Sequence, residues 1–318
     1  MKIAFFGTSE FVGSIQHARF LRRLIAAGVR PRVVVTAPDT PSRRGRHPIP
    51  LAVKSAALES GIPVLQPPSL KGFSGELARR EIELSLVAAY GKILPPEVLA
   101  VPKFGSLNVH PSLLPRWRGP TPIQAAILAG DSMTGVTIIQ MDEHMDHGPI
   151  IAKREFPLRE WAWTAPVLSD ALTDLGVDLF LEILEPWVLG KITPQPQQHD
   201  AATYSRILKK EDGRIVWTNR SEEIERMTRA FQPWPGACTF WKKPEGELRL
   251  TIDSAGSVSS GSEGALTPGE VLERDNELSV ATGDGLLVVE RLTPAGRAPM
   301  SGAAFLRGQR AIIGAVLR

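Results

Sequence analysis

Near its middle the chain reads Gly105-Ser106-Leu107-Asn108-Val109-His110, a short and mostly apolar stretch. This pattern predicts a buried strand, in which Asn108 and His110 are two positions apart and so leave on the same face. Pro111 follows at once and ends the strand, because proline has no amide proton to give to a sheet. We therefore expect one amide and one imidazole to share a single site.

The loop after this strand, residues 112–120, is too apolar for an ordinary surface turn. Farther along, the strand-like residues 135–140 lead to Asp146, a carboxylate that would hold His110 in one tautomer and favour its protonated form. Fixed hydrogen-bond donors suit a reaction in which negative charge grows on a carbonyl oxygen. The pattern therefore indicates acyl transfer.

Two other interpretations of these residues stay open at this point. Asn108 and His110 are also compatible with a hydrogen-bonded pair that merely caps the strand end. A metal site is the second, since histidine and aspartate are common ligands, and its candidates are His110, Asp142, His144, Asp146 and His147. No H-E-x-x-H or comparable spacing is present, so we expect no metal.

Composition limits the class of protein. The chain has 318 residues, 43% of them hydrophobic, which favours two domains with buried cores. Its single cysteine, Cys238, excludes an internal disulfide and fits a reducing cytosol. There is no run of eighteen apolar residues, about the length needed to cross a bilayer. We expect a cytoplasmic monomer without a membrane partner.

The N-terminal part alternates strand and helix patterns. A strand over residues 2–7, a helix to about residue 27 and a strand over 32–37 predict a parallel sheet with a right-handed crossover. Helices are also predicted over 121–129, with Thr121 as N-cap, and over 164–189. Gly7 is not followed by a G-x-G-x-x-G fingerprint, so a dinucleotide is disfavoured.

The C-terminal part has a different pattern. Residues 190–202 are rich in Pro and Gln and predict a linker. One helix over 221–230 and six short strands follow, which suggests a small β-barrel, OB-like among the options. The predicted strands cover residues 215–217, 238–241, 248–252, 270–272, 278–282 and 286–290. We expect a first domain over 1–189, a linker over 190–206 and a second domain over 207–318.

The sequence closely resembles the methionyl-tRNA formyltransferases. The matching elements are Asn108-x-His110, the loop Ser112-Leu113-Leu114-Pro115-Arg116-Trp117-Arg118-Gly119, then Pro122-Ile123-Gln124 and Asp146-x-Gly148. Asn-x-His with a later Asp also marks the wider class of 10-formyltetrahydrofolate-dependent transferases, and the loop narrows the match. Further matches at 229–235, 281–285 and 292–296 extend the resemblance over nearly the whole chain. His144 and His147 depart from it, since glycine and threonine are usual there.

The resemblance implies an α/β fold, with a Rossmann-like parallel sheet in the formyltransferase domain and a small OB-like β-barrel that binds tRNA. It implies transfer of a formyl group from 10-formyltetrahydrofolate to initiator methionyl-tRNA. Asn108 and His110 would donate to the oxyanion, with Asp146 orienting His110. The end of the strand over 82–89 is a ligand position in open α/β sheets. The implied folate-binding residues are Ala89, Tyr90, Gly91, Ser112, Leu113, Leu114 and Pro115.

Positive charge is concentrated near the N-terminus. Residues 1–50 carry nine Lys or Arg against two acids, although the whole chain has a net charge of only +3. The Arg-rich residues 38–48 taken alone predict a polar surface loop. The resemblance implies that Arg43, Arg44 and Arg46 contact the tRNA acceptor end. Lys209 and Lys210, beside the linker, are further candidates for phosphate contact.

Three alternatives to tRNA formylation remain. The acceptor could be a small amine, such as glycinamide ribonucleotide or an amino sugar nucleotide, or the formyl folate could simply be hydrolysed. The second domain and the Arg-rich loop argue against both. The chain could also be a catalytically silent tRNA-binding protein, against which the intact Asn108, His110 and Asp146 argue.

Overall fold

The computed structural model describes residues 1–8, 17–39, 51–158, 163–244, 246–259 and 266–318. The chain divides into two compact units. The first comprises Met1–Ala126, Asp131–Trp161 and Val167–Ile207, and the second comprises Ile127–Gly130, Ala162–Pro166 and Leu208–Arg318. Among the described helices, none combines the length and apolar character needed to cross a membrane.

The first unit contains a seven-stranded sheet in the order β3-β2-β1-β4-β5-β6-β7. Its strands are β1 Ile3–Gly7, β2 Val33–Val35, β3 Val64–Leu65, β4 Leu84–Ala88, β5 Ser106–His110, β6 Met133–Gln140 and β7 Ile150–Pro157. The first five in this order pair in parallel, as the β-α-β pattern predicts. β6 and β7 extend the sheet with antiparallel pairing. Exposed residues alternate along β7, as expected for an edge strand with one face toward water.

Helices cover the sheet through apolar side chains. They are α1 His17–Ala26, α2 Ala52–Glu59, α3 Ser74–Arg79, α4 Pro96–Leu99, α5 Pro122–Ala129 and α6 Ala165–Val188. Phe5, Phe6, Phe20 and Phe180 are fully buried. α6 continues to Val188 although Pro186 lies inside it. Before α5, the Thr121 hydroxyl donates to the carbonyl of Arg206.

The second unit is built on antiparallel strands. It contains α7 Ser221–Ala230, β8 Ala237–Lys243, β9 Gly246–Ser259, β10 Val271–Arg274, β11 Glu277–Ala281, β12 Gly285–Pro294, β13 Met300–Ser301 and α8 Gly302–Gly308. Five strands follow the order β10-β11-β12-β9-β8, and β13 pairs with β12. Trp217, Trp241 and Phe305 pack in its core. The unit is the predicted small β-domain, with its curled sheet forming a half-barrel.

Several elements of this unit differ from the sequence prediction, which did not include β13 or α8. Residues 215–217 are not a strand: the amide of Ile215 donates to the carbonyl of Cys238, and the ladder stops at a single bridge. The apolar character of Trp217 led to the strand prediction. In the structure its side chain is buried in the core, and its Nε1 donates to the Thr239 hydroxyl. β9 runs for 14 residues, far beyond the predicted 248–252, because it pairs with both β8 and β12.

The Pro- and Gln-rich residues 190–206 lie within the first unit. Gln195 exchanges two backbone hydrogen bonds with Ile150 at the start of β7. Thr203 and Ser205 pair in the same way with the loop after β5, where the amide of Arg118 donates to the carbonyl of Thr203. The segment is therefore an ordered strap that bonds to the start of β7 and to the loop after β5, the strand that carries Asn108 and His110.

Two helical glycines test how tightly α6 packs on β5. A Cβ on Gly176 would lie 2.8 Å from Cγ1 of Val109, whereas a Cβ on Gly75 in α3 would meet only the end of Arg79, at 3.9 Å. We expect Gly75→Ala to raise the unfolding free energy by up to about 1 kcal/mol through helix propensity. Gly176→Ala should lower it by about 1–3 kcal/mol, because overpacking outweighs that gain.

Urea unfolding of the wild type and the two variants measures both effects. Equal stabilisation by the two substitutions would contradict the close approach of α6 to Val109.

Candidate active site

Three strands bring the candidate residues to one edge of the sheet. β4 and β5 run in parallel, with Val87 opposite Asn108, so their carboxyl ends lie side by side. β6 returns antiparallel, with Thr137 opposite His110. Asn108 and His110 leave β5 on the same face, since both approach one oxygen of Asp146.

The Asp146 carboxylate is the centre of this cluster. Its Oδ1 accepts a hydrogen bond of 3.0 Å from Nδ2 of Asn108 and lies 3.5 Å from Nδ1 of His110. Its Oδ2 accepts the backbone amide of Gly119 at 2.8 Å. Only 13% of the Asp146 side chain is exposed, and its backbone is left-handed, with φ of 50°. The carboxylate is thus held by donors from two separate segments.

The His110 ring is fixed through Nε2, and its Nδ1 faces Asp146. Nε2 lies 2.9 Å from the carbonyl oxygen of Trp117, which can only accept, so Nε2 carries a hydrogen. A proton on Nδ1 faces Asp146. The sequence predicted that Asn108 and His110 donate directly to a reacting oxygen, whereas one N–H of Asn108 and Nε2 of His110 are already engaged. The donors left for a ligand are the second N–H of Asn108 and a protonated Nδ1.

The loop after β5 is rigidly supported around Trp117. The Arg116 guanidinium binds both oxygens of Asp131 and lies 4.5 Å from the Trp117 ring, and Nε1 of Trp117 donates to Asp131 at 2.7 Å. The hydrogen bond to Asp131 raises the pKa of Arg116. Gly119 has φ of 104°, and a Cβ there would lie 2.6 Å from the carbonyl oxygen of Ser205. Only glycine fits where the loop presents its amide to Asp146.

Gln197 and Arg118 are supporting residues that were not predicted from the sequence. Nε2 of Gln197 donates to the carbonyls of Asp146 and Gly148, at 2.9 and 2.8 Å. Its Oε1 accepts from Nη2 of Arg118 at 2.7 Å, and Nδ1 of His199 accepts from the same nitrogen at 2.9 Å. Arg118 is 2% exposed, yet no carboxylate among the described residues pairs with it. Gln197 lies in a segment predicted to be a linker, and only Arg118 had a sequence signal, inside the quoted loop.

The predicted folate residues fall into two groups. Tyr90, Ser112 and Leu114 are buried, and Tyr90 packs edge-on against Phe6. Burial raises the pKa of Tyr90 to about 12, so its hydroxyl stays neutral. The residues with accessible surface are Ala89, Gly91, Leu113 and Pro115. Ala89 and Gly91 have positive φ, and within the described chain no backbone hydrogen bond uses the amides or carbonyls of residues 90–94.

The predicted tRNA residues are only partly described. Arg43, Arg44 and Arg46 lie outside the described residues. Lys209 and Lys210 are exposed at the start of the second unit, and their ammonium groups have no carboxylate partner among the described residues. These positions leave both lysines available for a polyanion.

Comparison with known proteins identifies relatives over the whole chain. Residues 1–184 match the family model of the formyl transferases, and residues 207–310 match that of the formyl transferase C-terminal domain. A methionyl-tRNA formyltransferase of Chloroflexus aggregans is 45% identical over 315 residues, which covers 98% of each chain. That of Roseiflexus castenholzii is 44% identical over 304 residues, covering 94% of this chain and 95% of the relative.

Solved structures share the fold at lower identity. An N-formyltransferase from Helicobacter canadensis, in complex with folinic acid and dTDP-3-aminofucose, has a TM-score of 0.62 at 17% identity and covers 91% of this chain and 98% of its own. HypX from Aquifex aeolicus in complex with tetrahydrofolic acid has a TM-score of 0.61 at 20% identity, with 97% of this chain and 47% of its own chain covered.

A double-mutant cycle tests the buried Arg118–Gln197 pair. Gln197→Leu should lower the unfolding free energy by about 2–4 kcal/mol, because it strands a buried guanidinium. Adding Arg118→Met should cost less than the sum of the single changes, with a coupling of about 1–3 kcal/mol. The exposed pair Arg22–Glu59 is the control, with an expected coupling of at most about 1 kcal/mol. Equal coupling in the two cycles, measured by urea unfolding, would contradict this role.

Proposed function

The chain belongs to the methionyl-tRNA formyltransferase family, and from this membership we infer that it formylates the α-amino group of methionine carried by initiator tRNA. The reaction is a transfer from a folate-derived formyl donor. The observation that carries the proposal for the active centre is the single Asp146 oxygen approached by both Asn108 and His110.

We propose 10-formyltetrahydrofolate as the donor and the end of β4 as part of its site. A pterin ring presents hydrogen-bond donors and acceptors along one edge. The backbone groups of residues 90–94, unused within the described chain, supply a matching set. Ala89, Gly91, Leu113 and Pro115 would line this pocket with accessible surface, while Tyr90, Ser112 and Leu114 support it from beneath.

The donor supplies a formyl carbon that the neutral amine of the aminoacyl-tRNA attacks directly. As the new C–N bond forms, the second N–H of Asn108 and the Nδ1–H of a protonated His110 donate to the growing oxyanion. Asp146 balances the imidazolium charge and keeps both donors in place. The amine proton leaves through Asp146 or a water toward the departing nitrogen, so no covalent enzyme intermediate is required.

We propose that tRNA is held by cationic side chains on both units. Arg43, Arg44 and Arg46 belong to the most basic part of the sequence, and Lys209 and Lys210 are exposed and without acidic partners among the described residues. Contacts of this kind are made to phosphates and weaken as salt rises. The N-terminal cluster would approach the acceptor end, and the two lysines the stem.

Formyl transfer to a small amine and hydrolysis of the formyl folate remain the alternatives to be tested. The structure of a relative with an amino sugar nucleotide shows only a shared fold at its 17% identity. The match to methionyl-tRNA formyltransferases covers 98% of the chain and includes the C-terminal domain, which supports the tRNA acceptor. We propose that the enzyme works as a monomer in the cytoplasm, where the buried, free Cys238 would stay reduced.

Substitutions at the active centre test the chemistry. His110→Ala and Asn108→Ala should each lower kcat for formylation of initiator methionyl-tRNA by about 10²–10³-fold, because each removes a donor to the transition state. KM for both substrates should change little, since the ground state uses these donors weakly. Asn219→Ala, at an exposed asparagine of the second unit, is the control. The measurement is transfer of labelled formyl, with formate release followed in parallel.

Full activity of His110→Ala would reject the proposed chemistry. A different outcome would reject only the tRNA acceptor and leave the proposed Asn108, His110 and Asp146 centre in place. That outcome is formylated product from glycinamide ribonucleotide or an amino sugar nucleotide but not from tRNA, or release of formate alone.

A salt titration tests the tRNA contacts. Arg44→Ala should raise KM for tRNA at low salt and reduce the slope of log(kcat/KM) against log salt by about one, as expected when one phosphate contact is lost. Lys209→Ala should act in the same direction. Lys71→Ala, which removes an exposed lysine of the first unit that we assign no role, is the control. An unchanged slope in both test variants would place the tRNA elsewhere.

A further inference from the structure

The loop between β6 and β7 carries more functional side chains than formyl transfer requires. Besides Asp146, it contains Asp142, His144 and His147, which have no part in the chemistry described above. Each of these three offers one potential ligand atom, and the three atoms all lie within 4.8 Å of one another. No metal was expected from the sequence, because the spacing Asp-x-His-x-x-His matches no familiar helical motif. The tight turn of the loop brings these residues together instead.

The turn is fixed by its own hydrogen bonds. Oδ1 of Asp142 accepts the backbone amide of His144 at 2.9 Å, which closes an Asx-turn. The base of the loop is closed where the amide of Gln140 donates to the carbonyl of Pro149, and a Cβ on Gly148 would lie 1.8 Å from the Gln140 oxygen. These contacts constrain the backbone conformation of the loop, and that conformation sets the positions of its side chains.

The His147 ring is held on two sides. Its Nδ1 lies 2.6 Å from Oδ2 of Asp142, and its face stacks on His199, with ring centroids 4.0 Å apart and planes 10° apart. The His144 ring lies 5.1 Å from that of His147. An Asp142–His147 hydrogen bond accounts for two members of the cluster. That hydrogen bond does not involve the third member, His144, whose ring nevertheless lies beside His147.

The donor set suits a transition metal. Two imidazoles and one carboxylate are ligands that Zn²⁺, Ni²⁺ and Cu²⁺ accept readily, whereas Mg²⁺ prefers oxygen alone. At metal–ligand distances of about 2.0–2.2 Å, tetrahedral ligand atoms are about 3.4 Å apart. The potential ligand atoms here lie within 4.8 Å of one another, and His147 Nδ1 lies 2.6 Å from Asp142 Oδ2, so binding would require side-chain shifts of about 1 Å. His144 is exposed, and the side chains of Asp142 and His147 are 33% and 37% exposed. Solvent and an ion can therefore enter.

We propose that Asp142, His144 and His147 form a binding site for one divalent transition-metal ion, with Zn²⁺ as the expected occupant and water completing its coordination. The site is distinct from the formyl-transfer centre. Asp146 lies between His144 and His147 in sequence, but its carboxylate contacts Asn108 and His110 instead. An ion bound here would tie down the loop that carries Asp146. The proposal does not depend on which amine the enzyme formylates.

Calorimetric titration of the full-length, chelator-treated protein with ZnCl₂ tests the site. We expect one saturable site per chain, with binding weakened by more than about tenfold in His144→Ala and in His147→Ala, because each removes a ligand. Asp142→Asn should weaken it as well. Glu143→Gln is the matched control, since it removes a carboxylate from the same loop without removing a ligand, and it should bind as the wild type does. MgCl₂ should give no saturable binding.

A second readout separates loss of a ligand from loss of folding. Visible absorption of the Co²⁺-loaded protein reports the ligand geometry directly, and the band should vanish in the His144→Ala/His147→Ala double variant while formyl-transfer activity without metal persists. Zn²⁺ should also raise Tm of the wild type and of Glu143→Gln in a concentration-dependent way. No saturable Zn²⁺ binding to the wild type would overturn the proposal. Zn²⁺ binding retained in the double variant would overturn it equally, because the ion would then lie elsewhere.

Discussion

The arrangement of the proposed active centre depends on one partly buried carboxylate. Asp146 has a left-handed backbone, a conformation that costs a non-glycine residue free energy unless its surroundings hold it there. Its two oxygens accept from Asn108 on β5 and from Gly119 in the next loop, and one of them faces His110. Loss of any of these donors would leave a carboxylate with little access to water and too few partners. Strand, loop and turn are therefore mutually constrained.

A second, deeper layer explains how that carboxylate is held in place. From the strap formed by residues 190–206, Gln197 donates to the backbone carbonyls of Asp146 and Gly148. Arg118, in the loop after β5, donates in turn to Gln197. A buried guanidinium that pairs only with neutral groups, within the described chain, gains less by Coulomb attraction than an ion pair does. Its Nε and Nη2 instead donate to Oε1 of Gln197 and so fix the amide in one orientation, and that amide supplies both of its N–H groups to the two carbonyls. The Arg118–Gln197 pair therefore contributes more to the fixed geometry around Asp146 than to the unfolding free energy.

Local sequence patterns were sufficient to predict several features of the fold and of the candidate site. The alternation of side chains along a strand put Asn108 and His110 on one face, and the helix α7 was predicted with its observed ends, because both are properties of neighbouring residues. The antiparallel direction of β6 was missed, since periodicity says nothing about the orientation of a partner strand, and β7 was not predicted as a strand. Gln197 was missed because a Pro- and Gln-rich segment resembles a flexible linker, and its burial depends on contacts with residues far away in the sequence. Asp142, His144 and His147 were not predicted as a metal site because their spacing matches no helical metal-binding motif. A tight turn can bring ligands together at other spacings.

The same hydrogen bonds also determine what the centre can do. An amide nitrogen has two hydrogens, and Asn108 uses one to hold itself against Asp146, which leaves the other aimed by a fixed carbonamide plane. The imidazole of His110 is fixed in the same way through Nε2 and the Trp117 carbonyl, which keeps Nδ1 facing the carboxylate. Donors oriented before the substrate arrives need no rearrangement when negative charge develops, and preorganisation of this kind is where most electrostatic catalysis originates. In the mechanism we propose, the engagement of these groups with their own neighbours is what allows them to act on a reacting oxygen, because a free amide or ring would have to be ordered at each turnover.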